Sequence, residues 1–346
     1  MNKKDIKYSI LELAHVSKGA TYKETLNNSR DLAKMAENKG YHRFWFAEHH
    51  NMEHVGSSAT SLLIGYIAEN THKIRVGSGG IMLPNHSPLV IAEQFGTLAR
   101  LYPDRIDLGL GRAPGTDPKT ARAIRSDFMQ AAQSFPSEIE KIERFFSTEN
   151  KTSDVRAAIA EGTNVPLYIL GSSTDSAHLA AKKGLPYAFA SHFATNHLHS
   201  ALRIYKDEFN PSEVLEKPYC MAGVNVIIAE TDESANELFT TIIRMFLGIL
   251  TGEREGLKPP TQMTSELQGV LHHPSVQQML KYSFVGSKES VKKQTKAFLE
   301  ETNVDELIAV SAIYGAEDRK KSVAAFAEVM QEINKENMAV EKQKTL

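Results

Sequence analysis

Two spacings of apolar residues alternate along the chain. Short runs rich in β-branched and aromatic residues occur at Ile6–Leu13, Arg43–Ala47, Ile74–Ser78, Ile106–Leu110, Pro166–Leu170, Tyr187–Ala190, Gly223–Ala229 and Glu306–Val310. Between them, apolar residues recur every three or four positions, as in Thr25–Asn38, Ser57–Glu69, Leu89–Leu101, Ser176–Lys183 and Glu233–Leu250. The first pattern suits buried strands and the second amphipathic helices. Their alternation predicts a parallel sheet with helical crossovers, and about eight such units is the number that closes a TIM (β/α)8 barrel. A doubly wound open sheet would carry a glycine-rich loop after its first strand. Here Leu13 is followed by AHVSKGAT, with one glycine. The chain therefore reads as one barrel domain over 1–346 with two insertions. One, about 113–165, is a polar helical stretch and linker. The other, about 251–284, is loop-like, rich in Gly and Pro, and lies between the seventh and eighth strands, where a loop of that length commonly covers a site.

Composition narrows the function classes. The 346 residues are 41% hydrophobic and 24% charged, ordinary for a globular protein with a large core. Lys+Arg 40 against Asp+Glu 42 gives a net charge of −2 with no basic stripe, which argues against nucleic acid or a membrane surface as partner. Val224–Ala229 and Leu307–Ile313 are among the longest apolar runs, too short to span a bilayer. The first residues show no signal-peptide pattern, and Cys220 is the only cysteine, which excludes disulfides within the chain and thiolate clusters. A cytoplasmic location is expected.

In parallel barrels ligands meet the carboxyl ends of the strands, so the residues just after each run carry most of the chemistry. FWFA leads into Glu48, His49, His50 and Asn51. IRVGS leads into Gly79, Gly80 and IMLPNHSP, IDLGLG into Gly111, Arg112, Ala113, Pro114 and Gly115, and PLYIL into Gly171, Ser172, Ser173 and Thr174 at a helix start. The last stretch suits an anion, because hydroxyls and free helix amides favour negative charge; plain capping of the helix is the other reading. Arg112 would clamp two phosphate oxygens or else pair with Asp104 or Asp117. Together these strand ends suggest a phosphorylated ligand near the fourth and fifth strands. The pair Gly79-Gly80, costly inside a strand, would leave space for a flat cofactor ring or mark a simple bulge.

His50-Asn51-Met52-Glu53-His54 has the H-x-x-E-H spacing of one class of zinc peptidases. That chemistry needs both imidazoles on one helix face, whereas this string follows a strand and Gly56-Ser57-Ser58 begins the next helix. No metal is expected, although His49, His50 or His54 with Glu48 leaves a looser metal reading open. His49, at a strand end, suits a proton-transfer or ring-positioning group with a pKa that burial can tune. His42 begins its strand at the opposite face and reads as structural, and His272-His273 as a solvated loop pair.

Four motifs in order, WFAEHHNM, IRVGSGGIMLPNHSPLVIAEQFGTL, RIDLGLGRAPGTD and GSSTDSAHLAAKKGLPYAFASHF, resemble the bacterial luciferase-like flavin monooxygenases, most closely their single-chain oxidoreductase subgroup. The match is strong from Tyr8 to Phe193 and fainter to Met330. The resemblance implies a TIM barrel that binds reduced FMN and uses O2, by way of a C4a-peroxyflavin, on a small organic substrate. It implies Arg112 as the phosphate-binding arginine, Ser173 and Ser176 as phosphate-binding hydroxyls with Ser172 beside them, and His49 as the catalytic histidine. It further implies a non-prolyl cis peptide at Gly79–Gly80 beneath the flavin ring, and a mobile lid over 251–284. The family also holds F420-dependent hydride-transfer enzymes and proteins that bind flavin without turnover, so both stay as alternatives. Gly111 stands where the light-emitting members carry a reactive cysteine, and their active unit is a heterodimer, so light emission is not expected and a homodimer is. With no dinucleotide fingerprint, reduced flavin would come from a separate NAD(P)H:flavin reductase.

Overall fold

In the computed structural model, residues 5–252 and 255–344 are described. Their strands are β1 (Lys7–Glu12), β2 (Arg43–Phe46), β3 (Arg75–Met82), β4 (Ile106–Gly111), β5 (Leu167–Gly171), β6 (Tyr187–Phe189), β7 (Cys220–Ile228), β8 (Ser283–Gly286) and β9 (Glu306–Val310). Every pairing is parallel. The strands β1 to β7 follow one another round a ring that β9 closes between β7 and β1. The result is the eight-stranded TIM barrel that the alternating pattern predicts, with helices filling the crossovers.

β8 has no counterpart in the sequence reading. It pairs with β7 outside the ring, Asn225 to Ile228 lying against Ser283 to Gly286. Four residues with one buried face give too short an alternation to be distinguished from loop. The segment 251–284 is likewise more ordered than its Gly and Pro content suggested, since Ser265–Leu271 and Pro274–Leu280 are helices. His272 and His273 join them. His272 closes the first helix and His273 caps the second, its Nδ1 accepting from the Ser275 amide at 3.3 Å. Glu253 and Arg254 of the expected lid lie outside the described residues. The other insertion holds three helices, Pro118–Ile124, Phe128–Gln133 and Phe135–Phe146, as its helical patterning implied.

The barrel interior is layered. Leu11, Trp45, Tyr168, Met221 and Ile308 form an apolar middle. Below it, toward the strand starts, lies a buried ionic layer that the sequence pattern did not reveal. Arg43, 3% exposed, donates from Nε to Glu306 and from Nη1 to Asp107 and to the Tyr168 hydroxyl, each at 2.8 Å. Arg75 and the Trp45 indole add donors to Asp107, and Ser9 and Tyr219 add donors to Glu306. Each buried charge thus meets opposite charge and hydrogen bonds, the condition under which such a layer is tolerated. His42, beside it at the strand start, has its pKa pushed down to about 4 by burial and by Arg43, in keeping with a structural role. The strand starts are closed by this network, which leaves the strand ends as the open mouth.

A candidate active site at the barrel mouth

The end of β2 delivers a carboxylate and two imidazoles in succession. Glu48 is 1% exposed and saturated with donors: His50 Nε2 at 2.8 Å, His86 Nε2 at 2.9 Å to both oxygens, the Asn85 amide at 3.0 Å and the Met82 backbone amide at 3.0 Å. Burial alone would raise its pKa, but the hydrogen bonds from His50, His86 and Asn85 outweigh it and hold the group down at about 2. His50 to His54 lies in a turn, where the helical alignment of a zinc peptidase has no basis. Among the described residues, no three His, Cys, Asp or Glu side chains converge as a metal would require.

His49 turns the other way. Its Nδ1 lies 3.1 Å from the Gly115 carbonyl. A carbonyl can only accept, so Nδ1 carries the proton and the Nε2 of the neutral ring keeps its lone pair. Burial lowers its pKa, and the Gly115 bond and the Glu48 charge oppose that only in part. Around it gather His15 beyond β1, His54 in the turn after β2 and His192 beyond β6, close enough for His49 to depress the pKa of His15 and His192. His192 is pushed down to about 3, burial being the larger cause. The Nδ1 atoms of His15 and His192 are buried with no hydrogen-bond partner. A mouth lined by neutral imidazoles with unmet hydrogen-bonding capacity is an environment for a ligand rather than for packing.

The glycines on β3 have a local cause. The Gly79–Gly80 peptide bond is cis, as the resemblance implies, and the register against β4 shifts between Gly79 and Ile81. A Cβ on Gly79 would stand 2.7 Å from Leu11 Cδ1, and one on Gly80 2.8 Å from the Gly109 carbonyl. At Gly80 a backbone atom stands in the way, whereas at Gly79 the nearest atom is the movable tip of Leu11, so packing and the bulge account for Gly80 more fully than for Gly79.

Ser172, Ser173, Ser176 and Arg112 come together at the ends of β4 and β5. Arg112 is half exposed, and its Nη2 lies 3.1 Å from Asp175 in the first turn of the helix Thr174–Lys183. Neither Asp104 nor Asp117 is its partner, contrary to the sequence-based alternative: Asp117 caps Pro118–Ile124, and Asp104 sits in a turn at a φ of 61°. Ser173 occupies the N-cap position with extended backbone, yet its hydroxyl accepts no bond from the helix. Capping therefore does not explain it. Ser172 is exposed. Ser176 faces inward, donating to the Ser173 carbonyl at 2.7 Å and meeting the Tyr187 hydroxyl at 3.0 Å.

The family model described as luciferase-like monooxygenase matches residues 6–308. The chain belongs to the luciferase-like monooxygenase family. It is 44% identical to the luciferase-like monooxygenase of Escherichia coli (strain K12), over 96% of this chain and 99% of that protein. It is 30% identical to the N-acetyl-S-alkylcysteine monooxygenase of Bacillus subtilis (strain 168), over 92% and 96%. Of solved structures, apo-MsnO8 shares 32% identity at a TM-score of 0.85, covering 94% of this chain and 98% of that one. Luciferase-like barrels at lower identity share the fold, among them the oxygenating constituent of 3,6-diketocamphane monooxygenase from the CAM plasmid of Pseudomonas putida in complex with FMN (15%, TM-score 0.73, 95% and 98% covered) and an F420-dependent secondary alcohol dehydrogenase (14%, 0.69, 94% and 98% covered).

Within this luciferase-like barrel, several mouth residues escaped the sequence reading: His15, Asn85, His86 and His192. Each follows a strand closely, so position relative to a strand end was the available signal. No spacing motif joins them, because they come from three separate strand ends.

Proposed function

We propose that this luciferase-like protein is a flavin-dependent monooxygenase that holds reduced FMN across the barrel mouth, with its phosphate at Arg112, Ser172 and Ser173 and its ring toward His49 and Gly79–Gly80. The observation that supports this most directly is the helix start at Ser173. Its amides lack a side-chain cap, two hydroxyls stand beside it and a half-exposed guanidinium reaches over it. That donor set fits a phosphate monoester, since each group donates to oxygen and Arg112 brings charge. Ser176, already bonded inward, would stiffen the loop and keep an oxygen lone pair for accepting. The FMN complex of the diketocamphane enzyme is the corresponding support from the fold.

Bound reduced FMN supplies the oxygen chemistry; the chain's residues bind it, orient it and keep water away. His49, with Nδ1 committed to Gly115, would take or return a proton at Nε2, and burial keeps it neutral and ready to do so. The polar nitrogens of His15 and His192 would meet polar atoms of the cofactor or substrate. Reduced flavin would reach the site from a separate NAD(P)H:flavin reductase.

Anaerobic titration with reduced FMN and with F420, followed by rapid mixing with O2, tests the reading. Tight binding of reduced FMN with reoxidation kinetics distinct from free FMN supports it. Preference for F420 with inertness to O2 would instead make the protein a hydride-transfer enzyme. Binding of neither would overturn the assignment, and turnover with NADH but no reductase would overturn the supply route.

A further inference from the structure

The loop carrying Gly115 is stitched to the end of β2 at several points, one of which runs through a buried carboxylate. The Asn85 side chain donates to Glu48 Oε1 at 3.0 Å and to the Pro114 carbonyl at 3.0 Å, while its own Oδ1 is buried without a partner. An amide that spends both donors and strands its acceptor is oriented by those two oxygens, because the reversed orientation would set like dipoles against them. Gly115, the next residue, has a φ of 65°, and a Cβ there would stand 2.5 Å from the Glu48 carbonyl oxygen. Its own carbonyl meets both the His49 ring and the His50 amide, the latter at 3.3 Å. Thr116 closes the stitch by donating to the His50 carbonyl at 2.9 Å. The same Oε1 also accepts from His50 and His86, and Oε2 accepts from His86 and the Met82 amide, so Glu48 ties together the ends of β2, β3 and β4.

We propose that Glu48 is a positioning residue: acting through Asn85, it holds the Pro114–Gly115 carbonyls in place and so fixes His49 as the Nδ1–H tautomer, with Nε2 unprotonated at the mouth. The same link sets the path of the loop that begins at Arg112, so one buried carboxylate orients both the imidazole and the strand end of the anion-binding guanidinium. The importance of that tautomer rests on the reading of His49 as the proton-handling group. The geometry of the link does not.

Long-range 1H–15N correlation spectra of the full chain without cofactor report the tautomer of each histidine directly. His49 is expected as predominantly Nδ1–H in the wild type. In Asn85→Ala, which leaves the carboxylate and its two imidazole partners intact, the Nδ1–H form should fall to the minority, and Glu48→Gln should do the same. A loss of stability alone would not move this signature. If Glu48→Gln does not fold, Asn85→Ala decides. A predominantly Nδ1–H ring in folded Asn85→Ala would overturn the proposal. The measurement uses no flavin, so failure of the chain to bind FMN would refute the functional reading while leaving this result to stand by itself.

Discussion

Replacing Arg112 with alanine separates phosphate recognition from everything else at the mouth. In the free protein the guanidinium holds an exposed pair with Asp175, their side chains 50% and 66% accessible, an arrangement worth at most about 1 kcal/mol. A charged hydrogen bond to phosphate is worth roughly 1.5–3 kcal/mol. Taking the Asp175 pair at about 0.5 kcal/mol, the middle of the range for exposed pairs, leaves a net contribution of roughly 1–2.5 kcal/mol, or about a 5- to 60-fold loss of affinity when the arginine is removed. Anaerobic titration with reduced FMN reads this loss, and reduced riboflavin, which lacks the phosphate, provides the control. Riboflavin affinity should be unchanged and the thermal midpoint nearly so. Equal losses for FMN and riboflavin would mean that Arg112 acts through the loop rather than on phosphate. Unchanged FMN affinity would remove it from the site.

Ser173→Ala should weaken FMN binding while leaving stability within about 0.5 kcal/mol, because the hydroxyl caps nothing; a loss near 1 kcal/mol in urea denaturation would restore the capping role. Turnover should fall as pH drops through the His49 pKa, which burial holds below 6.5, since the neutral ring is the working form; a profile with its midpoint above pH 6.5 would contradict this. The Glu48 carboxyl titrates near 2 in the folded chain against 4.5 unfolded, so the stability it contributes is complete above pH 4.5 and is lost toward pH 2. The amount is roughly 3 kcal/mol, and Glu48→Gln should flatten that part of the acid limb. Arg43→Met should cost about 3–5 kcal/mol by leaving Glu306 without a cation and Asp107 with Arg75 alone, read as a lower urea midpoint; a near-neutral change would show that the ionic layer adapts.

The ring of eight strands was legible because each has a continuous apolar run bounded by a helix of a different period. Arg112, Ser173 and His49 were legible because strand ends are where a barrel binds ligands, and the ordered motifs reinforced them. What escaped depends on side chains meeting across distant strands. Arg43, Asp107 and Glu306 each look like the charged edge of an apolar run, and only closure of the barrel turns them inward to one another. Asn85 and His86 sit in an unremarkable IMLPNHSP, and their meaning comes from Glu48, more than thirty residues away. Arg112 was matched to the wrong acids for the same reason. Asp104 and Asp117 are near in sequence, whereas Asp175 is near only because β4 and β5 are neighbours.

β7 does more than complete the ring. Its first half, Cys220 to Asn225, is spent on β6 and β9, and its last residues, Asn225 to Ile228, on β8. The chain from Ala229 to Tyr282 therefore departs from and returns to a short parallel clasp that barrel closure does not use. Among the described residues that excursion supplies no strand pairing of the ring, and it meets the ring's loops where Leu257 bridges to Ser17 and Gln278 accepts from Thr195. A relative's version of the segment, grafted between Ile228 and Ser283, would exchange one wall of the mouth while the Arg112 and His49 ends of the site keep their frame.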